Sequence, residues 1–346
     1  MNLPASCAGV AIHFSQFPEN VRRDMLSSLR ARRVNQKFHY DSVRQTQKWL
    51  ALHQAYSPAR NDADCRAIYE KSFATAAAQI KSRSVHLIGL GCGGGQKDTR
   101  LLKWLKARGK EVFYTPCDVS VAMVLTARRA ALAVVSDKNC FPFVCDLATA
   151  DDLQIFLVTR HPPARTKPLR RGEGPSLVTF FGMIPNFEPE QILPKLASLI
   201  RRKDILLFSA NLAPGKDYSA GMRTVLPQYD NPLTRDWLMT FLLDIGVEER
   251  DGRLRFKIET DAASGLKRVA ARFHFTRPCR IEIESEVFAF RAGETIRLFF
   301  SYRYTPEQVR KVLSRHGLEV REQWITRSEE EGVFLVHRSG ASEAHR

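Results

Sequence analysis

The feature that most constrains this chain is the alternation of short apolar runs with amphipathic stretches between residues 85 and 211. Val85-His86-Leu87-Ile88-Gly89-Leu90 has the length and composition of a buried strand and breaks into Gly91-Cys92-Gly93-Gly94-Gly95. Helical spacing follows over 99–107, through Leu101, Leu102, Trp104 and Leu105. The pattern then predicts a strand at 111–115, a helix over 120–135, strands at 141–145 and 177–181, a helix over 188–200 and a strand at 204–210. Such alternation implies parallel strands joined by right-handed crossovers. Before it, helices are expected around 25–29, 43–52 and 62–80. Beyond it the alternation stops. Residues 214–249 read as loop followed by a helix over 235–245. Antiparallel strands follow at 254–259, 268–275 and 280–288. A helix over 306–316 and strands at 318–326 and 332–337 close the chain. The expected fold is α/β, a Rossmann-like, doubly wound core of 64–211 and 299–340. An accessory α+β domain would come from 8–63 and 212–298.

Composition narrows the class. The chain of 346 residues is 44% hydrophobic, ample for a large core. No apolar run reaches the ~18–20 residues of a membrane span. The first ten residues lack the basic start and long apolar run of a signal peptide, so a soluble cytoplasmic protein is expected. Cys7, Cys65, Cys92, Cys117, Cys140, Cys145 and Cys279 form no CxxC pair. They read as reduced thiols with no metal site. A net charge of +16 raises nucleic acid as a partner. Yet the basic residues are dispersed. The densest stretch, Arg160, Arg165, Lys167, Arg170 and Arg171, is interrupted by Pro162, Pro163 and Pro168 and reads as a solvated loop.

In an open parallel sheet, ligands bind beyond the carboxyl ends of the strands, near the switch in strand order. Here the first such end carries the glycine turn. The second carries Asp118, placed to accept hydrogen bonds from ribose hydroxyls. The third carries Asp146, placed to accept from an adenine amino group. A glycine turn alone is equally a device for tight strand–helix packing; the two acids make it an adenosine site. It is neither the dinucleotide GxGxxG fingerprint nor a P-loop, and a phosphate-free adenosine cofactor requires neither.

The landmarks along residues 37–337 together resemble the histidine-specific N-methyltransferase family, whose members methylate the α-amine of histidine with S-adenosyl-L-methionine. They are Lys37-Phe38-His39-Tyr40-Asp41, Tyr56-Ser57-Pro58-Ala59-Arg60 and the glycine turn running into Lys97, Thr99 and Arg100 with one extra residue. They continue with Pro116-Cys117-Asp118-Val119-Ser120, Phe180 to Phe187, Tyr229-Asp230-Asn231, and Gly293-Glu294 through Ser301-Tyr302-Arg303-Tyr304. The resemblance implies a class I methyltransferase core with a substrate-binding accessory domain. It implies that Tyr40, Gly91, Gly93, Lys97, Asp118 and Asp146 contact the cofactor. Asn186 and Tyr229 would hold an amino-acid carboxylate, Tyr56 would line the acceptor cavity, and Tyr40 would stand by the reacting amine.

Three departures bear on the acceptor. Where the family has a glutamate that grips imidazole, this chain has Phe299, while the partner serine survives as Ser301. Losing that carboxylate removes a charge-assisted bond worth ~1.5–3 kcal/mol. Ala271 stands where a methionine is usual, a smaller residue that would enlarge the acceptor pocket, and Gly89 stands where an acid is usual, weakening one cofactor contact. The expected activity is therefore methyl transfer to the amine of an amino acid or amino-acid-derived small molecule other than histidine, with an aromatic side chain as the favoured form. An RNA or protein methyltransferase, or a cofactor-binding member without catalysis, are the alternatives.

Overall fold

The computed structural model describes residues 9–154 and 174–340. The basic stretch at 160–171 lies outside them. The main sheet begins with β1 (Ala11–Ile12), β2 (Ser84–Leu90), β3 (Glu111–Asp118), β4 (Phe143–Val144), β5 (Ser176–Phe181) and β6 (Ile205–Asn211). All of these pair in parallel. The alternating helices are α4 (Ala63–Gln79), α5 (Gln96–Ala107), α6 (Val121–Ala131) and α7 (Pro189–Leu199), preceded in the chain by α1 (Pro18–Arg30), α2 (Val43–Tyr56) and the short α3 (Pro58–Asn61). The strand order is β1-β4-β3-β2-β5-β6-β13-β12, where β12 (Leu318–Ile325) and β13 (Glu331–Arg338) add antiparallel strands at one edge. The chain runs from β2 outward through β3 to β4, then returns to the other side of β2 as β5. The switch in order therefore falls between β2 and β5, and the carboxyl ends of β2, β3 and β5 open onto one cleft.

Both faces of this sheet are covered. One face packs Val85, Leu87, Leu101, Leu102 and Leu105 with Tyr69 and Phe73 of α4; the other packs Ile88, Leu90, Val178, Phe180, Ile192 and Leu196. Strands buried on both sides read as continuous apolar runs, which is why they were legible.

The second part holds α8 (Tyr218–Tyr229), α9 (Pro232–Asp244), β7 (Gly252–Thr260), β8 (Lys267–Phe275), the hairpin β9 (Cys279–Ile283) and β10 (Glu286–Phe290), and β11 (Thr295–Arg303). β11, β8 and β7 form an antiparallel sheet in that order. Phe299 and Ser301 therefore run in this small sheet, and the crossing to the large sheet follows at Tyr304, which bridges Leu212. α10 (Pro306–Ser314) then leads to β12.

The structure departs from the sequence expectation at particular places. α8 occupies part of what reads as loop; Asp217 caps it by accepting from the N–H groups of Ser219 and Ala220, a signal that its short run to Pro227 obscures. The single strand expected over 280–288 is a hairpin turning at Glu284, which sits at φ 55°. Glutamate there carries none of the Asn-Gly or Asp-Gly signature of such turns. The strand expected at 141–145 pairs only at Phe143–Val144, because Pro142 has no N–H for the ladder. α6 stops at Ala131, short of 135, ahead of the β-branched Val134 and Val135. Among the described residues, no helix is long and apolar enough to cross a membrane.

Candidate active site

The cleft at the strand ends encloses about 1050 Å³, at the upper end for small-ligand sites. The glycine turn forms its floor. Gly91 follows β2 at φ 62°, and a Cβ on it would stand 2.3 Å from Met183 Sδ. Gly95 enters α5 at φ 73°, where a Cβ would meet Ala127 Cα at 2.7 Å. Both the backbone conformation and the space require glycine. The Cys92 N–H donates to the Cys117 carbonyl at 3.0 Å, tying the turn to β3.

Asp118 ends β3 and is buried. Its Oδ2 accepts from the Gly93 N–H at 3.0 Å and its Oδ1 from the Ser120 N–H at 3.1 Å. Burial raises its pKa above the usual carboxylate value, opposed by these donors. Asp146 follows β4. Its Oδ1 accepts from the Ala148 N–H at 2.9 Å, while the buried Oδ2 has no hydrogen-bond donor, with Lys37 Nζ at 3.4 Å. Lys37 itself gives its ammonium to Asp24 at 2.5 Å. Ion-paired to Lys37 at that 3.4 Å but without a hydrogen-bond donor, the buried Asp146 Oδ2 keeps acceptor capacity on the cleft wall. Lys97 also borders the cleft. Its Nζ donates to the Tyr69 hydroxyl at 2.7 Å and lies 3.9 Å from Glu331, and burial lowers its pKa.

Tyr40 stands between Trp49 and Trp237, with ring centroids 6.1 and 5.4 Å away. Asn186, in the short turn after β5, donates from Nδ2 to the Tyr40 hydroxyl at 3.4 Å. Burial, then the Asp118 charge, raises the Tyr40 pKa far above that of a free phenol, so its hydroxyl stays protonated.

Tyr40, Gly91, Gly93, Lys97, Asp118, Asp146 and Asn186 thus converge on one cleft. The remaining candidates do not border it. Tyr56, at the end of α2, is 53% exposed, although its neighbours Ser57, Pro58 and Ala59 do line the cleft. Tyr229, Phe299 and Ser301 form a second group behind the wall. The Tyr229 and Ser301 hydroxyls lie 3.0 Å apart, and Arg303 Nε donates to Tyr229 at 3.0 Å. Phe299 packs on Trp237 at 5.6 Å. A bulge explains the division. Arg297 pairs with Arg272 but Phe299 with Ala271, so β11 carries one extra residue there. The bulge breaks the alternation. Arg297 and Phe300 line the cleft, whereas Phe299 lies in the apolar core with Ala271, Trp237 and Phe241. The small Ala271 adds no open volume to the cleft, contrary to the sequence expectation. Trp49 borders the cleft without any sequence signal; Met183 and Arg297 also border it and lie within landmark stretches, with no role expected of them there, and Asp98 had a signal as the extra residue before Thr99.

A family model described as histidine-specific methyltransferase, SAM-dependent, matches residues 21–338. The N-methyltransferase imqF of Aspergillus flavus is 26% identical over 261 residues, 73% of this chain and 67% of that protein. Solved structures with a related trace include a putative methyltransferase from Thermobifida fusca, at 12% identity and TM-score 0.43 over 89% of this chain and 95% of that one. Another is the SAM-bound amino pentose methyltransferase CalS10 of Micromonospora echinaspora, at 11% identity and TM-score 0.39 over 83% and 97%.

Proposed function

We propose, on the premise that the chain belongs to the histidine-specific, SAM-dependent methyltransferase family, that its methyl acceptor is the amine of an amino acid or amino-acid-derived small molecule other than histidine, with an aromatic side chain. The chain is a SAM-dependent methyltransferase; we further propose the acceptor, the residue roles, a cytoplasmic location and a division into core and accessory domains in which β1 belongs to the core and the boundary lies after β11, at Tyr304, and not at residue 299. The observation that carries it is Phe299. The position that would grip imidazole holds a phenyl ring packed on Trp237, and the nearby Tyr229 and Ser301 hydroxyls are engaged with each other and with Arg303.

The cofactor supplies an electrophilic methyl group. In this reading Gly91, Gly93 and Lys97 hold its amino-acid end, Asp118 its ribose and Asp146 its adenine. Asn186 orients the acceptor carboxylate, and Tyr40 directs the amine. Tyr229, Ser301, Phe299 and Tyr56 act at longer range, shaping the walls around that site. The Tyr40 hydroxyl, kept protonated, aligns the amine and does not take its proton. The amine must arrive neutral, and alignment supplies the rate.

Turnover with labelled cofactor against an amino-acid panel tests this. Methylation of aromatic amino acids or their derivatives, with none of histidine, is expected; tight histidine binding by calorimetry with no binding of tryptophan-like compounds overturns it. The +16 charge favours one second reading, an RNA acceptor. A salt-dependent gel shift together with RNA methylation would replace the first reading.

A further inference from the structure

Gly89 stands where the family pattern has an acid, and the volume beside it is filled. A Cβ on Gly89 would lie 2.0 Å from Asp98 Oδ2 and 3.0 Å from the Asp98 carboxyl carbon. Asp98 comes from the first turn of α5, is 3% exposed and borders the cleft. Its Oδ2 accepts from the Tyr114 hydroxyl and its Oδ1 from the Thr179 hydroxyl, each at 2.8 Å. Tyr114 lies on β3 beside Leu87, and Thr179 on β5 beside Gly89. The carboxylate is therefore fixed over Gly89 from both neighbouring strands. No acid can occupy 89 while Asp98 holds this position, because the Asp98 carboxylate fills the volume that a side chain at 89 would need.

Asp98 has no cationic partner within 4 Å among the described residues. Lys97, next in sequence, gives its ammonium to Tyr69 instead. A buried carboxylate held only by two neutral hydroxyls is costly unless a cation approaches it. We propose that Asp98 is a relocated acid, which meets the ammonium at the amino-acid end of S-adenosylmethionine from the helix side. This rests on the assigned cofactor site.

Calorimetry on the intact protein separates the possibilities. The probes are S-adenosylhomocysteine, which carries the ammonium, and methylthioadenosine, which lacks it. Asp98→Asn should weaken S-adenosylhomocysteine by about tenfold or more, one charge-assisted bond, and leave methylthioadenosine within about twofold. Gly89→Asp combined with Asp98→Ala should regain most of the affinity that Asp98→Ala alone loses. Equal weakening of both ligands would make Asp98 a mere tie between strands and overturn the proposal, as would unchanged S-adenosylhomocysteine binding in Asp98→Asn. If the exchange variant does not fold, the two-ligand comparison in Asp98→Asn decides alone. If the unaltered protein binds neither ligand, the cofactor site itself is misassigned, a result distinct from failure of the Asp98 role.

Discussion

Replacing Asp118 by Asn separates its two tasks. In the protein alone, each carboxylate oxygen accepts one backbone N–H, from Gly93 and from Ser120. An amide keeps one acceptor and turns a donor toward the other N–H. The loss is partly offset, because burial already disfavours the Asp118 charge and the neutral amide is cheaper to bury. The melting temperature should therefore fall by only a few degrees, on the order of a 1 kcal/mol change. The ligand side has no such compensation. A ribose hydroxyl loses a charged acceptor worth ~1.5–3 kcal/mol, which is about 10- to 150-fold in Kd. Titration of S-adenosylhomocysteine into Asp118→Asn should show that loss, with the acceptor absent. A Kd within about twofold of the unaltered protein would refute the ribose assignment. A weakened Kd accompanied by collapse of the melt would mean that the acid only holds the glycine turn.

Other outcomes follow from the same geometry. Tyr40→Phe removes the hydroxyl that receives the Asn186 amide. It should lower kcat by about 10- to 100-fold, the scale of one positioned group, while S-adenosylhomocysteine affinity stays close to unaltered; calorimetry and initial rates check both. His39 is buried, its Nε2–H donating to the Leu298 carbonyl at 2.7 Å, and burial lowers its pKa to about 4. The unfolded chain binds that proton near 6.5 and the folded chain does not, so stability falls as pH drops from about 6.5 to about 4, by ~3 kcal/mol from this group. Denaturant melts at pH 7 and pH 4.5 should show less acid sensitivity in His39→Gln, whose amide can keep the bond to Leu298.

The parts of the fold that the sequence revealed share one physical trait: local patterning that tertiary contacts do not override. β2, β5 and β6 are buried on both faces and read as apolar runs; Gly91 and Gly95 announce a turn no other residue can make. The hairpin at Glu284 and the end of α6 lack such local signals. The site divides in the same way. Asp118 and Asp146 were legible because each ends a recognisable strand. The separation of Phe299 from the cleft was not, because it depends on one extra residue in β11 relative to β8, which only strand register discloses. The partnership of Gly89 with Asp98 joins a strand to the following helix, and neither residue alone suggests it.

Restoring the family's glutamate by Phe299→Glu tests whether one position decides the acceptor. The phenyl ring packs on Trp237 and lies opposite Ala271 in a buried core. Removing such a ring costs ~3–5 kcal/mol as a Phe→Ala change, and an unpaired carboxylate in the same place adds to that. Tyr229 and Ser301 are the nearby donors, and they already bond each other, with Arg303 on Tyr229. The new acid would draw Arg303 or water toward itself before it met an imidazole in the cleft. The expected result is a markedly lower melting temperature with histidine binding still undetectable by calorimetry. A Phe299→Glu protein that melts normally and binds histidine would show that the Trp237 wall reorganises easily. Acceptor choice would then rest on the charge at position 299 and not on how β11 is packed.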